Sequence, residues 1–113
     1  MINVLIEADR VEVLAGEPRA VPVPRASEKQ KIWRCPECQI ALYSQYTSAR
    51  IRFVRAGTLD DPASVSPDVH IFTSTKVPWV ELPEGVPAFR SYYETEELWP
   101  ADSLARLEAL RRR

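Results

Sequence analysis

The chain has 113 residues and 45% hydrophobic content, enough for one small domain that folds without disulfides. Fifteen basic and sixteen acidic side chains nearly cancel, which removes the electrostatic case for nucleic acid or an anionic membrane and points to a neutral partner or a small molecule. No stretch approaches the ~20 apolar residues of a membrane span. The N-terminus has only a three-residue apolar run, Val4 to Ile6, with no basic leader or cleavage site, so a soluble, cytoplasmic protein is expected. In that compartment two cysteines suggest metal or redox chemistry rather than a structural disulfide.

Taken in chain order, Ile2 to Leu14 predicts two short strands, INVLI and RVEVL, forming a hairpin around Glu7 to Asp9. Gly16 and Pro18 end it. Val21-Pro22-Val23-Pro24 continues extended, because each proline fixes its own φ and steers the preceding residue away from helix. Ala26 to Gln30 is polar and reads as a loop tip. Ile32 to Cys38 enters a tight turn at Pro36, and the β-branched and aromatic residues of Ile40 to Tyr46 and Arg50 to Val54 predict two antiparallel neighbours.

At Thr58-Leu59-Asp60-Asp61-Pro62 a single helical turn is expected, with either aspartate as cap and Pro62 at the first position. Val69 to Thr73 reads as a strand. Pro78, Pro83 and Pro87 should keep Lys76 to Phe89 extended and irregular. The convincing helix is Ala101 to Arg113, capped by Asp102 or Ser103, with Leu104, Leu107 and Leu110 on one stripe and terminal arginines suited to the helix dipole.

Cys35-Pro36-Glu37-Cys38 carries the clearest chemistry. In a zinc knuckle two thiolates converge on one ion at ~2.3 Å while turn amides point at the sulfurs, and a proline pre-forms the turn. One pair gives two of the four ligands of a structural site. The rest could be His70 with a carboxylate or water, the same pair from a second subunit, or cysteines this chain lacks. A thioredoxin-like dithiol fits less well, since its first cysteine opens a helix whereas the residues after Cys38 are of β type. Two free thiols are the plainer alternative.

Elsewhere the plain readings prevail. His70 suits a strand position satisfied by a backbone carbonyl, Asp60 and Asp61 suit capping rather than acid-base catalysis, and Trp33, Trp79 and Trp99 are too scattered for a stacking platform, so packing is their expected use.

The segments Arg52 to Pro62 (RFVRAGTLDDP), Val69-His70-Ile71-Phe72 and Lys76-Val77-Pro78-Trp79 resemble the C-terminal half of the glutathione-dependent formaldehyde-activating enzyme family, whose domain centromere protein V also carries. Trp33 to Cys38 followed by Ala41-Leu42-Tyr43 resembles that family's CPxC segment. The likeness spans about Ile2 to Phe89. It implies a mainly β, tent-like fold of small antiparallel sheets associated with zinc, here over residues 1–91. Residues 92–113 would then be a C-terminal extension with an amphipathic α-helix, expected to dock on surface that an N-terminal segment covers in relatives.

In the family, an N-terminal CxC together with the CPxC holds structural zinc, and a CxCxxC cluster holds the zinc of the active site. Only Cys35 and Cys38 match here. The remaining cysteines would precede Met1, so a shortened form is expected. Gln39 stands where relatives usually carry glycine, at an expected cost of about 1 kcal/mol if that residue is left-handed. The resemblance further implies zinc as cofactor, carbon-sulfur lyase chemistry on a glutathione conjugate, with a zinc-linked homodimer sharing four thiolates as the non-catalytic alternative. No catalytic residue is assigned by it.

Overall fold

The computed structural model describes residues 1–24 and 30–113. The loop tip expected over Ala26 to Gln30 therefore lies, but for Gln30, outside the described residues. The chain forms two compact units, Met1–Val65 and Ser66–Arg113.

The first unit is a five-stranded sheet built from β1 (Asn3–Glu7), β2 (Arg19–Pro22), β3 (Lys31–Arg34), β4 (Ala41–Gln45) and β5 (Ile51–Arg55). Its order is β1-β5-β4-β3-β2, with every neighbouring pair antiparallel. Strands β2 to β5 follow one another as a meander, and β1 closes the far edge. Together with the C-terminal helix this gives the mainly β class expected from the sequence, with the strands gathered in one sheet.

The expected hairpin between Ile2 and Leu14 does not form. Residues Ala8–Arg10 make a 3-10 turn, residues 11–14 join no strand, and β1 pairs instead with β5 in the register Val4↔Val54, Leu5↔Phe53, Ile6↔Arg52. The physical reason is packing. In that register the apolar side chains of β1 lie opposite half-buried partners, whereas Leu14 remains 79% exposed. Alternation identifies strand-like residues but not the strand they will pair with.

Side chains alternate between the two sheet faces. Trp33, Tyr43 and Arg52 share one face, where the two rings stack at 5.1 Å and the Arg52 guanidinium lies over both, 5.0 and 5.8 Å from their centroids. Burial raises the pKa of the Tyr43 phenol, and Arg52 works against that rise. Ile32, Ser44, Phe53 and Arg55 share the other face by register. There Arg55 ties three strands together, its Nη1 donating to Asn3 Oδ1 at 2.6 Å and its Nη2 to Ser44 Oγ at 2.9 Å. Ser44 is 1% exposed, and among the described residues no larger side chain is fully buried.

After β5 the chain makes two 3-10 turns, Ala56–Thr58 and Pro62–Ser64. The second begins as predicted: Asp61 Oδ1 accepts the Ala63 amide at 3.1 Å and Pro62 holds the first position.

The second unit holds α1 (Thr95–Leu98) and α2 (Ala101–Arg111). Val69 to Thr73 is not a strand. A single parallel bridge links His70 to Ala88, after which Phe72 turns left-handed (φ 54°, ψ 38°) into a 3-10 turn at Thr73–Thr75. That residue breaks the pleat, since a strand needs extended φ at every position. The irregular course of Lys76 to Phe89 is as expected. In α2 the cap is Pro100 and no side chain caps the helix, in place of the predicted Asp102 or Ser103; Asp102 Oδ1 instead accepts its neighbour's amide, Ser103 N, at 2.9 Å. The predicted apolar stripe is present: Leu104 and Leu107 are half-buried and Leu110 is buried. No helix among the described residues is long and apolar enough to cross a membrane.

Aromatic side chains organise this unit. Tyr92 stacks on Tyr93 at 4.3 Å, and the buried Tyr93 hydroxyl accepts from Trp99 Nε1 at 3.1 Å and from Tyr92 at 3.2 Å. Packing is thus the use of Trp33 and Trp99. It is not the use of Trp79, which is 81% exposed on a turn closed by Val80 N donating to Val77 O at 3.1 Å.

Candidate thiol site at the β3–β4 hairpin

The two cysteines sit in the turn between β3 and β4. A register shift between Trp33 and Arg34 bends the ladder just before the turn, which then closes through Cys35 N to Ile40 O (3.0 Å) and Gln39 N to Cys35 O (2.9 Å). A bulge of this kind re-aims the strand end. Pro36 supplies a fixed φ without needing to donate, and Gln39 completes the turn with φ 65°.

The turn points its backbone at the first sulfur. Amide hydrogen bonds from Cys38 and then Glu37, followed by one from the Cys38 side chain, hold the Cys35 thiol below its ordinary pKa, while partial desolvation and the Glu37 carboxylate oppose them. Cys35 is half-buried and Cys38 exposed. Two side-chain contacts brace the turn: Arg34 Nη1 donates to Gln39 O at 2.9 Å, and Gln39 Nε2 donates to Pro36 O at 3.2 Å.

The turn thus carries two free cysteines three positions apart, with the Arg34 guanidinium bonded to the Gln39 carbonyl beside them. Arg34 was not singled out by sequence reasoning. Its only signal was a cation immediately before the cysteine motif. The residues after Cys38 enter β4 and not a helix, so Cys35 lacks the helix N-terminus of a thioredoxin-like dithiol.

The other sequence candidates are not gathered here. Among the described residues no group of three or more His, Cys, Asp and Glu side chains is assembled to hold a metal. His70 lies in the second unit with its backbone in the bridge to Ala88, and its Nε2 is buried without a hydrogen-bond partner, contrary to the expected carbonyl contact. Asp61 caps its turn, and Asp60 is exposed.

Residues 1–75 match the family model described as Glutathione-dependent formaldehyde-activating enzyme. The chain belongs to this family. The matched region takes in the whole five-stranded sheet, the thiol turn and the left-handed Phe72, so this formaldehyde-activating enzyme family is recognised mainly through the first unit. No curated protein and no solved structure matches the chain.

Proposed function

We propose that this member of the glutathione-dependent formaldehyde-activating enzyme family binds zinc through Cys35 and Cys38, using the β3–β4 turn as a two-thiolate knuckle. The observation that carries the reading is the closed β3–β4 turn, with Cys35 N to Ile40 O at 3.0 Å and Gln39 N to Cys35 O at 2.9 Å, which holds both cysteines within one short turn; the lowered pKa of the Cys35 thiol favours the thiolate a metal needs. The donor set fits a thiophilic dication, and it fits half of a tetrahedral site.

The chain's own residues have separable tasks. Cys35 and Cys38 hold the ion; Arg34 anchors the Gln39 carbonyl and so fixes the turn, while its charge offsets that of the thiolates. Zinc bound with an open position would supply Lewis acidity toward a thiol or an oxygen of the substrate. The family match supports a finer, second reading, carbon-sulfur lyase action on a glutathione adduct, with no residue of the chain assigned to proton transfer. Free thiols suit a reducing compartment, which supports a cytoplasmic location.

The test is equilibrium dialysis of the purified, reduced chain against zinc, followed by elemental analysis. Cys38→Ser is expected to reduce retained zinc to near background. Equal retention by the variant and the parent protein would overturn the reading.

A further inference from the structure

We propose that Arg19 and Arg34 form a binding site for a small oxyanion, the phosphate or carboxylate group of a metabolite, on the rung of the sheet that joins β2 to β3. The inference stands apart from the zinc reading and uses neither thiol. Three observations converge on it.

The first is register. Strands β2 and β3 pair antiparallel with Arg19 directly opposite Arg34, so the two side chains leave the same face with their Cβ atoms about 5 Å apart. Like charges directly opposite destabilise a ladder, and this rung places two cations where opposite charges would strengthen it. An oxyanion between the two guanidinium groups turns that repulsion into attraction.

The second is donor supply. A guanidinium carries five N–H donors in a planar fork that suits a carboxylate or phosphate edge. Arg34 commits Nη1 to the Gln39 carbonyl at 2.9 Å, which fixes the side chain and leaves Nε and Nη2 for a ligand. Arg34 is half-buried and Arg19 exposed, so one fork is held in place and partly shielded from water while the other closes on the ligand from solvent. Among the described residues neither arginine is in an ion pair; the nearest acids along the chain, Glu17 and Glu37, lie outside the strands.

The third is the charge of the face. Arg34 stands two residues from Ile32 on β3, and Ile32, Ser44 and Phe53 are in register, so Arg34 projects from the same face as Arg55. The half-buried Arg55 is held by two neutral oxygens, Asn3 Oδ1 and Ser44 Oγ, and neither offsets its charge. Strand β5 is two strands from β3, about 10 Å, which is close to one screening length at physiological salt, so Arg55 strengthens the field at the rung. Lys31, one residue from Ile32, projects from the opposite face and serves as a control.

The test is the thermal midpoint of the reduced full chain, followed by circular dichroism in phosphate, in succinate and in sodium chloride at equal ionic strength. An anion that binds only the folded chain raises the midpoint with its concentration. The expected result is a saturable rise in phosphate, succinate or both, beyond that in chloride. A rise in phosphate alone identifies a phosphate group as the ligand, a rise in succinate alone a carboxylate, and a rise in both a site that reads negative charge and oxygen edges.

Arg19→Gln should weaken the apparent affinity roughly tenfold, and Lys31→Gln should leave it unchanged. The order of stabilities supplies a second signature. At low salt, without either anion, Arg19→Gln should unfold at a higher temperature than the parent chain because the like-charge rung is relieved; in the saturating anion it should unfold at a lower one. Midpoints that follow ionic strength whatever the anion would overturn the site. Undiminished binding by Arg19→Gln, or an equal loss in Lys31→Gln, would overturn it too, since the attraction would then not reside at this rung.

Discussion

The two units of the chain are held by different kinds of interaction. Met1–Val65 is built on an antiparallel ladder whose strands are cross-linked by Arg55 on one face and Arg52 on the other, whereas Ser66–Arg113 has no strand and is organised by a tyrosine and tryptophan cluster beside two helices. In the first unit the backbone decides where side chains go. In the second, side chains decide where an irregular backbone can settle. A ladder transmits its register from strand to strand, so damage to it spreads, while an aromatic cluster loses contacts one at a time.

The largest difference should appear at Arg55. Its guanidinium joins β1 to β4 through Asn3 and Ser44, and Ser44 is nearly inaccessible to water. Arg55→Leu removes two charge-assisted hydrogen bonds and strands a buried hydroxyl, for an expected loss of about 3 kcal/mol. Urea unfolding followed by circular dichroism would measure it. If the loss were only a few tenths of a kcal/mol, the cross-link would not be what holds the sheet together.

Tyr93→Phe is the matching cut in the second unit. The ring stays, and only the hydroxyl that accepts from Trp99 and Tyr92 is lost, so about 1 kcal/mol is expected. Reading the same denaturation by tryptophan fluorescence would follow Trp99 as it loses its partner. An effect as large as that of Arg55→Leu would erase the contrast between the units.

The same contrast explains what could be read in advance. The strands β4 and β5 follow from their β-branched and aromatic residues and the extended course near β2 from its prolines, whereas β3 (Lys31–Arg34), read only as the approach to the turn at Pro36, was not expected as a strand. The edge position of β1 does not follow, since pairing with residues as distant as Val4 is from Val54 leaves no local mark; RVEVL has as good an alternation as its neighbour yet forms no strand. In the second unit, Val69 to Thr73 has a strand's composition, and one left-handed residue, Phe72, cancels it. Nothing in a phenylalanine announces a positive φ. The thiol turn was legible because cysteine, proline and spacing carry chemistry together, but its bracing by Arg34 was not, being a matter of where a long side chain folds back.

Gln39 offers the smallest effect and the sharpest one. Both units contain a non-glycine residue in the left-handed region, Gln39 at φ 65° and Phe72 at φ 54°, and a side chain there costs about 1 kcal/mol that glycine avoids. Gln39→Gly should therefore relax the thiol turn, less the exposed hydrogen bond from Nε2 to Pro36 O, for a net gain of about 0.5 kcal/mol. Gln39→Ala separates the two contributions, because it loses the hydrogen bond and keeps the strained Cβ, and so should destabilise slightly. In Phe72→Gly the same relief is opposed by loss of the ring that lies 6.3 Å from Tyr92, and no net gain is expected. Urea midpoints for the three variants check the ordering. A gain at Phe72 larger than at Gln39 would mean that the aromatic contacts of the second unit carry less of its stability than the strained backbone takes away.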